Sequence, residues 1–370
     1  MMKNQRFERD TTQSDSHLNP KVICLSAISL AVILGISHGV ADAAAGFLLG
    51  SLPRTMSLEQ ASWLIILYNI LGFGYQPLAG ILTDHLKRPR ESVLLGLFLL
   101  LLALVVAGWQ SQLAVVLAGM GSAAFHVGGG SLALSATPNR TTGPGFFAAP
   151  GAVGLAVGGV LGLTGYSVTV PLVLLLGVMI GVIALINLPR SPHSNPKFQI
   201  PNSKSDDWVM LVLLVAIALI STVWTSFQFV LQTHLHFILA LAVAAAIAKV
   251  FGAILAQRWG WRRWIAGTFT VATLLLLLGG QNPLTLLLSL ALLQSSIPIT
   301  LAATAQMMPQ QPATAAGLAL GLAIIIGGIP VIGGWSTLVG TPTLSALVVT
   351  VTAVSLHWVF KSITLNTPSW

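Results

Sequence analysis

The chain has 370 residues, 55% of them hydrophobic and only 7% charged, with a net charge of +8. A membrane helix takes about 20 apolar residues, so this composition leaves little outside the bilayer. It excludes a large catalytic or nucleic-acid-binding domain, and the single cysteine, Cys24, excludes an intrachain disulfide or thiolate metal cluster.

Taken in chain order, apolar runs predict spans over 22–51, 59–83, 92–109, 112–136, 145–165 and 168–188. After a polar stretch they resume over 208–229, 235–257, 264–279, 283–305, 312–334 and 341–360. The expected fold class is therefore an all-α membrane protein of twelve helices. Residues 1–20 lack the charged, apolar and small-residue succession of a secretory signal, so the first span reads as uncleaved. Of the 17 Lys and Arg residues, 15 lie in the tails or in connections after even-numbered spans. Arg54 is the exception in an odd connection and Lys249 the exception inside a span. Positive charge stays on the cytoplasmic side during insertion, which predicts both termini inside, at the cell's inner (plasma) membrane. The one long connection, 189–207, is polar and Pro/Ser-rich. It divides the chain into a first half, 1–188, and a second half, 208–370.

A repeat supports that division. Residues 80–90 after span 2 and 253–263 after span 8 both place a polar acceptor, Asp84 or Gln257, at a helix end before a basic turn. Such a group can accept from the N-terminus of a neighbouring helix and so close the inner mouth in one state. Gly80, Asp84, Arg88, Arg90, Gln257 and Arg258 are the gating candidates, although these basic residues also serve as topology determinants. A second echo links span 5, with Pro150, Gly154, Gly158 and Gly162, to span 11, with Gly317, Gly321, Gly327, Gly328 and Pro330. Small residues at this spacing let helices approach closely in lipid.

An ionisable side chain at the centre of a membrane helix costs about 2.5–3.5 kcal/mol on insertion scales, which makes such residues the first functional candidates. His38 and Asp42 stand four residues apart on one helix face. A carboxylate one turn from an imidazole can hold its proton, so the pair is the proton-coupling candidate. A buried pair that only locks span 1 to a neighbour is the other reading. His126 in span 4 and Lys249 in span 8 are cavity candidates. His126 equally suits a donor to a backbone carbonyl. Lys249, about 12 Å from the inner end of its span, equally suits a side chain that snorkels inward. Ser122 in span 4, Thr225 and Gln228 in span 7, and Gln294 and Ser295 in span 10 complete the cavity set. Spans 1, 4, 7 and 10 thus hold most of the buried polarity.

Several segments carry a family resemblance. They are Ser37-His38-Gly-Val-Ala-Asp42, Gln76-Pro77-Leu-Ala-Gly80-Ile-Leu-Thr83-Asp84, Gly119-Met-Gly121-Ser122-Ala-Ala-Phe125-His126, and Ala305-Gln306-Met-Met-Pro309 followed by Gly317-Leu-Ala-Leu-Gly321. With them the chain resembles the major facilitator superfamily, and within it the fosmidomycin-resistance type of efflux protein. Lys87 stands where the family's loop pattern has glycine, and Val127-Gly128 follow His126 where such relatives often carry Pro and Glu. The resemblance implies two six-helix halves, with helices 1, 4, 7 and 10 lining a central cavity, and proton-coupled efflux by antiport.

The expected function is secondary transport of a small organic solute by a monomer, without cofactor, metal or nucleic acid. There is no Gly-x4-Gly-Lys-Ser/Thr loop for ATP. An intramembrane hydrolase is disfavoured because Ser131 lies five residues from His126, on a different helix face. A non-transporting membrane partner or assembly factor on a transporter fold is the alternative. Two histidines and Lys249 against one aspartate suit an anionic or zwitterionic solute. Cysteines placed in a Cys24→Ala background should be labelled from outside at 54–59 and from inside at 189–207. Labelling of both from one side would overturn the twelve-span reading.

Overall fold

A computed structural model of the protein describes residues 26–186, 204–230, 234–279 and 282–365. The N-terminal tail with Cys24, the stretch 187–203 containing most of the predicted linker, and the end of the C-terminal tail lie outside the described residues. The helices are α1 (Ala27–Thr55), α2 (Leu58–Leu86), α3 (Pro89–Val106), α4 (Ser111–Ala136), α5 (Thr142–Thr164) and α6 (Thr169–Leu185). They continue as α7 (Lys204–Val230), α8 (Leu235–Trp259), α9 (Trp261–Leu278), α10 (Pro283–Met307), α11 (Pro312–Ile332) and α12 (Pro342–Leu365). Among the described residues there is no strand. Among the same residues, ten helices are long and apolar enough to cross a membrane. The 17-residue α6 and the Arg-bearing α9 occupy the places of predicted spans 6 and 9.

Burial separates the helices into two classes. In α1, α4, α7 and α10, 50–78% of the most apolar window is buried, against 22–44% in the other six. The four central helices are the ones whose sequences carry most of the polar side chains. The outer helices expose Leu95, Phe98, Leu174 and Val354, a surface suited to lipid.

Helix contacts repeat in a pattern. α5 packs on α1 and on α8, as α11 packs on α7 and on α2. α3 packs on α4 and α6, as α9 packs on α10 and α12. This pattern accounts for the echoed glycines of spans 5 and 11. Methyl groups on Gly154 and Gly158 would strike the carbonyls of Gly39 and Ala43 on α1. Gly327 meets Ser221 of α7, and Gly317 meets the Gln76 carbonyl of α2. With no hydrophobic drive between helices inside lipid, close backbone approach supplies the attraction.

Two helices depart from α-geometry where they face each other. α2 widens to a π turn over Ile70–Gly74, and α11 over Gly317–Leu322, with the two in contact. The Gln76 side-chain amide donates to the Gly72 carbonyl at 2.7 Å. A side chain thus occupies an acceptor in the widened turn. Lys87, at the family's glycine position, ends α2 with φ of 55°, the left-handed region that glycine enters most easily. Span 9 was drawn to begin at residue 264. The helix begins at Trp261, because Arg262 and Arg263 can occupy a first turn at the membrane boundary.

Gly158→Val should abolish the monodisperse detergent-solubilised species, since its side chain would strike α1 backbone. Gly177→Ala, where nothing lies within 4 Å of an added methyl, should leave the elution profile and melting temperature unchanged. Equal behaviour of the two variants would remove the glycine seam as a determinant of the fold.

Candidate functional site

α1 runs through the middle of the bundle and presents His38 and Asp42 one turn apart. His38 Nε2 lies 3.1 Å from Asp42 Oδ2, as their spacing predicts. α4 adds His126, whose Nε2 lies 2.9 Å from His38 Nε2 and 3.7 Å from Asp42 Oδ1. His126, read from sequence as a cavity residue, therefore joins the His38–Asp42 pair in one cluster. The two histidine side chains are 6–7% exposed and that of Asp42 13%, so the carboxylate is the most open of the three.

The hydrogen-bond inventory of the cluster leaves an excess of acceptors. His38 Nδ1 lies 2.9 Å from the Phe147 carbonyl, and His126 Nδ1 lies 2.8 Å from the Ser122 carbonyl. A carbonyl only accepts, so both Nδ1 atoms carry hydrogen and donate. Both neutral imidazoles would then turn an Nε2 lone pair toward the other, at 2.9 Å, beside a carboxylate. One proton on either Nε2 converts this repulsion into a charge-assisted hydrogen bond. The same three residues present metal-ligand atoms within 4.8 Å of one another. Two nitrogens sharing a tetrahedral zinc stand about 3.4 Å apart, so the 2.9 Å contact fits a proton better than a divalent ion.

Residues that sequence reasoning passed over enclose this cluster. Phe147 stacks on His38 at 4.7 Å between ring centres, Phe125 lies 5.7 Å away, and Phe73 sits 6.2 Å from His126. Gly151 of α5 leaves room for the His38 ring, because a methyl group there would overlap it. Tyr68 is buried, and its ring and the Ser122 side chain both lie against Gly72. In sequence these aromatics look like any other lipid or core residues, and only the fold distinguishes them.

Lys249 points into the protein. Its Nζ lies 3.4 Å from the Ala148 carbonyl on α5, next to the Phe147 carbonyl that accepts from His38. The snorkelling alternative does not describe this geometry. The remaining cavity candidates are dispersed. Thr225 Oγ1 lies 2.8 Å from the carbonyl oxygens of both Ser221 and Gly327, with one hydrogen to serve either, and so bridges α7 and α11. Ser295 accepts from Trp264 and donates to the Leu292 carbonyl. Gln228 is half-buried and Gln294 buried, and no hydrogen bond among the described contacts joins either to the histidine cluster.

At the predicted cytoplasmic end, the two echoed motifs form matching contacts. Asp84 accepts from the Ala313 N–H at 3.0 Å and from the Thr314 N–H and hydroxyl at 2.7 Å each, capping α11. Gln257 Oε1 accepts from the Thr141 N–H at 3.1 Å at the start of α5, and the Thr141 hydroxyl donates to the Ala253 carbonyl at 2.6 Å, with Gln257 Oε1 3.2 Å away. Each contact joins one of the first six helices to one of the last six. Gly80 is part of the first, since a methyl group there would lie 2.5 Å from the Ala313 carbonyl oxygen. The basic residues take other places. Arg90 donates to the carbonyls of Ile183 and Ala184 at the end of α6, while Arg88 and Arg258 are exposed. Thr141 and Thr314 were not singled out in the sequence, although threonine at a helix start is a recognisable signal.

Residues 25–334 match the family model described as Major Facilitator Superfamily. No curated protein matches the chain. Among solved structures, the chain is similar to a variant of the E. coli fucose:proton symporter FucP. Identity there is 16%, the TM-score is 0.68, and the match covers 92% of this chain and 98% of that one. FucP in an outward conformation is similar at 15% identity and a TM-score of 0.69, covering 92% and 99%. The human organic anion transporter MFSD10 (TETRAN) is similar at 14% and 0.61, covering 89% and 99%. At these identities the likeness is one of fold.

Asp84→Ala removes three acceptor contacts between α2 and α11. A spin-label pair at the exposed His85 and Gln310 positions should then show a longer or broader distance distribution, while Arg88→Ala should leave it unchanged. An unaltered distribution in Asp84→Ala would mean that the contact does not depend on the carboxylate.

Proposed function

The chain belongs to the Major Facilitator Superfamily, and from that premise we propose that it moves a small organic solute by proton-coupled alternating access. In this reading the halves 1–188 and 208–370 rock about the midplane, joined by the cytoplasmic linker 189–207. His38, Asp42 and His126 form the proton site. The observation that carries this is the 2.9 Å approach of two Nε2 atoms whose rings already donate through Nδ1.

The proton changes the charge at the midplane by one. With it, an imidazolium offsets the Asp42 carboxylate; without it, the cluster carries a net negative charge inside a low-dielectric interior. Lys249, on a helix of the other half, lies against the same stretch of α5 that holds His38. An unprotonated cluster draws the Lys249 amine toward α5, and a protonated one releases it. Protonation thereby biases how firmly α8 is held to the first half, which gives the coupling its physical lever. In this reading the Asp84 and Gln257 contacts are the inner closure, and turnover requires breaking both. Lys249, the cation beside the cluster, favours an anionic or zwitterionic solute, with the less connected Gln228 and Gln294 on its cavity wall.

Resemblance to the fosmidomycin-resistance type supports efflux by antiport at the inner membrane. The fold shared with FucP, a protein named as a fucose:proton symporter, supports uptake with the proton as the second reading. Transport in proteoliposomes under an imposed pH gradient separates them by direction. In the same assay Asp42→Asn should abolish pH-driven transport and spare solute exchange, which needs no net proton movement. His38→Ala should shift the pH profile. Undiminished pH-driven transport in Asp42→Asn would make the cluster a structural lock.

A further inference from the structure

Well away from the histidine cluster, a groove of about 700 Å³ opens at the predicted cytoplasmic end, beside α9 and α12. Trp259, Trp261, Arg262, Arg263, His357 and Phe360 contribute to its walls, and no acidic residue lines it. The charge it presents is thus wholly basic, in a chain with only nine Asp and Glu residues.

Arg262 is held inside the groove with part of its guanidinium unmet. Its Nη2 donates to His357 Nε2 at 3.1 Å, which requires that imidazole nitrogen to be an unprotonated acceptor. Its Nε is buried and has no hydrogen-bond partner. An arginine keeps its charge in proteins, and a buried Nε–H without an acceptor is unfavourable. The start of α9 adds to the demand, since its N-cap residue Gly260 has no side chain to cap the first turn. Helix N-termini carry partial positive charge and favour anions. An anionic oxygen seated between Arg262 and Arg263 would offset both guanidinium charges.

The surroundings indicate where that oxygen comes from. Trp259 and Trp358 are 58% and 47% exposed at this level of the molecule, and tryptophan concentrates at the headgroup layer of a bilayer. Phe360, Ile363 and Ala266 give the groove an apolar side. We propose that this groove binds an anionic phospholipid of the inner leaflet, with the Arg262 and Arg263 side chains on its phosphate. None of the groove's lining residues belongs to the histidine cluster, so the inference stands independently of the proton site.

The test uses the full-length protein with phosphatidylglycerol and phosphatidylcholine, read by native mass spectrometry and thermal melting. The wild-type protein should retain phosphatidylglycerol preferentially and melt higher in its presence. Arg262→Gln combined with Arg263→Gln should weaken retention by roughly fivefold per arginine removed. Arg54→Gln, at the opposite end, should not. The single variant Arg263→Gln alters an exposed side chain and should also lose part of the melting shift, which keeps the test decisive if the double variant fails to fold. Equal retention of the two lipids, or a full melting shift in Arg263→Gln, would overturn the proposal. Displacement of phosphatidylglycerol by millimolar inorganic phosphate would reassign the groove to a soluble anion.

Discussion

The rest of the structure depends on the approach of α1 to α5. Gly154 and Gly158 bring the α5 backbone against the Gly39 and Ala43 carbonyls, nearer than any helix pair with larger side chains could come. That proximity sets the site. It puts the Phe147 carbonyl within 2.9 Å of His38, and Gly151 leaves space for the ring. On its other face, α5 meets α8 through Gly145 and Ala253, and so comes within reach of Lys249. One helix with small residues on two faces therefore links the ionisable cluster to the opposite group of helices.

Fixing both Nδ1 atoms on main-chain carbonyls has a further consequence. A main-chain acceptor does not titrate, so the hydrogen on Nδ1 stays in place whatever happens at Nε2. All exchange is confined to the converging Nε2 atoms and the carboxylate. Asp42 is the most open of the three at 13%, against 6–7% for the histidines, so it offers the easiest route for a proton. Phe73, Phe125 and Phe147 surround the imidazoles and exclude water from the remaining sides.

Much of this fold was legible in the residues because lipid imposes simple rules. Apolar run length located the helices within a few residues, and polar content agreed with the family resemblance in marking α1, α4, α7 and α10 as central. The four-residue spacing of His38 and Asp42 foretold their contact, and the paired motifs at Asp84 and Gln257 foretold matching caps. What could not be read were contacts made by unexceptional residues. Nothing in sequence separates Phe147 from a lipid-facing phenylalanine, and no local pattern joins His126 to a helix 88 residues away. Ser295 and Thr225 looked available for a solute, yet each is engaged by a neighbouring helix. A hydroxyl in a membrane helix satisfies itself on nearby carbonyls, so polarity alone overstates the cavity.

The two inner contacts are alike in position and unlike in chemistry. Asp84 carries charge and accepts three hydrogen bonds at 2.7–3.0 Å, whereas neutral Gln257 accepts from the Thr141 N–H at 3.1 Å while the Thr141 hydroxyl donates to the Ala253 carbonyl at 2.6 Å. Charge-assisted bonds are shorter and roughly twice as strong as neutral ones, and a carboxylate also gains from the positive end of α11. The α2–α11 side thus rests on a charged cap, and the α5–α8 side on neutral hydrogen bonds. That neutral side is where Lys249 meets α5, within a few residues of the carbonyl that holds His38. In the proposed cycle, a change of one charge at the cluster therefore acts on the side that has no charged cap of its own.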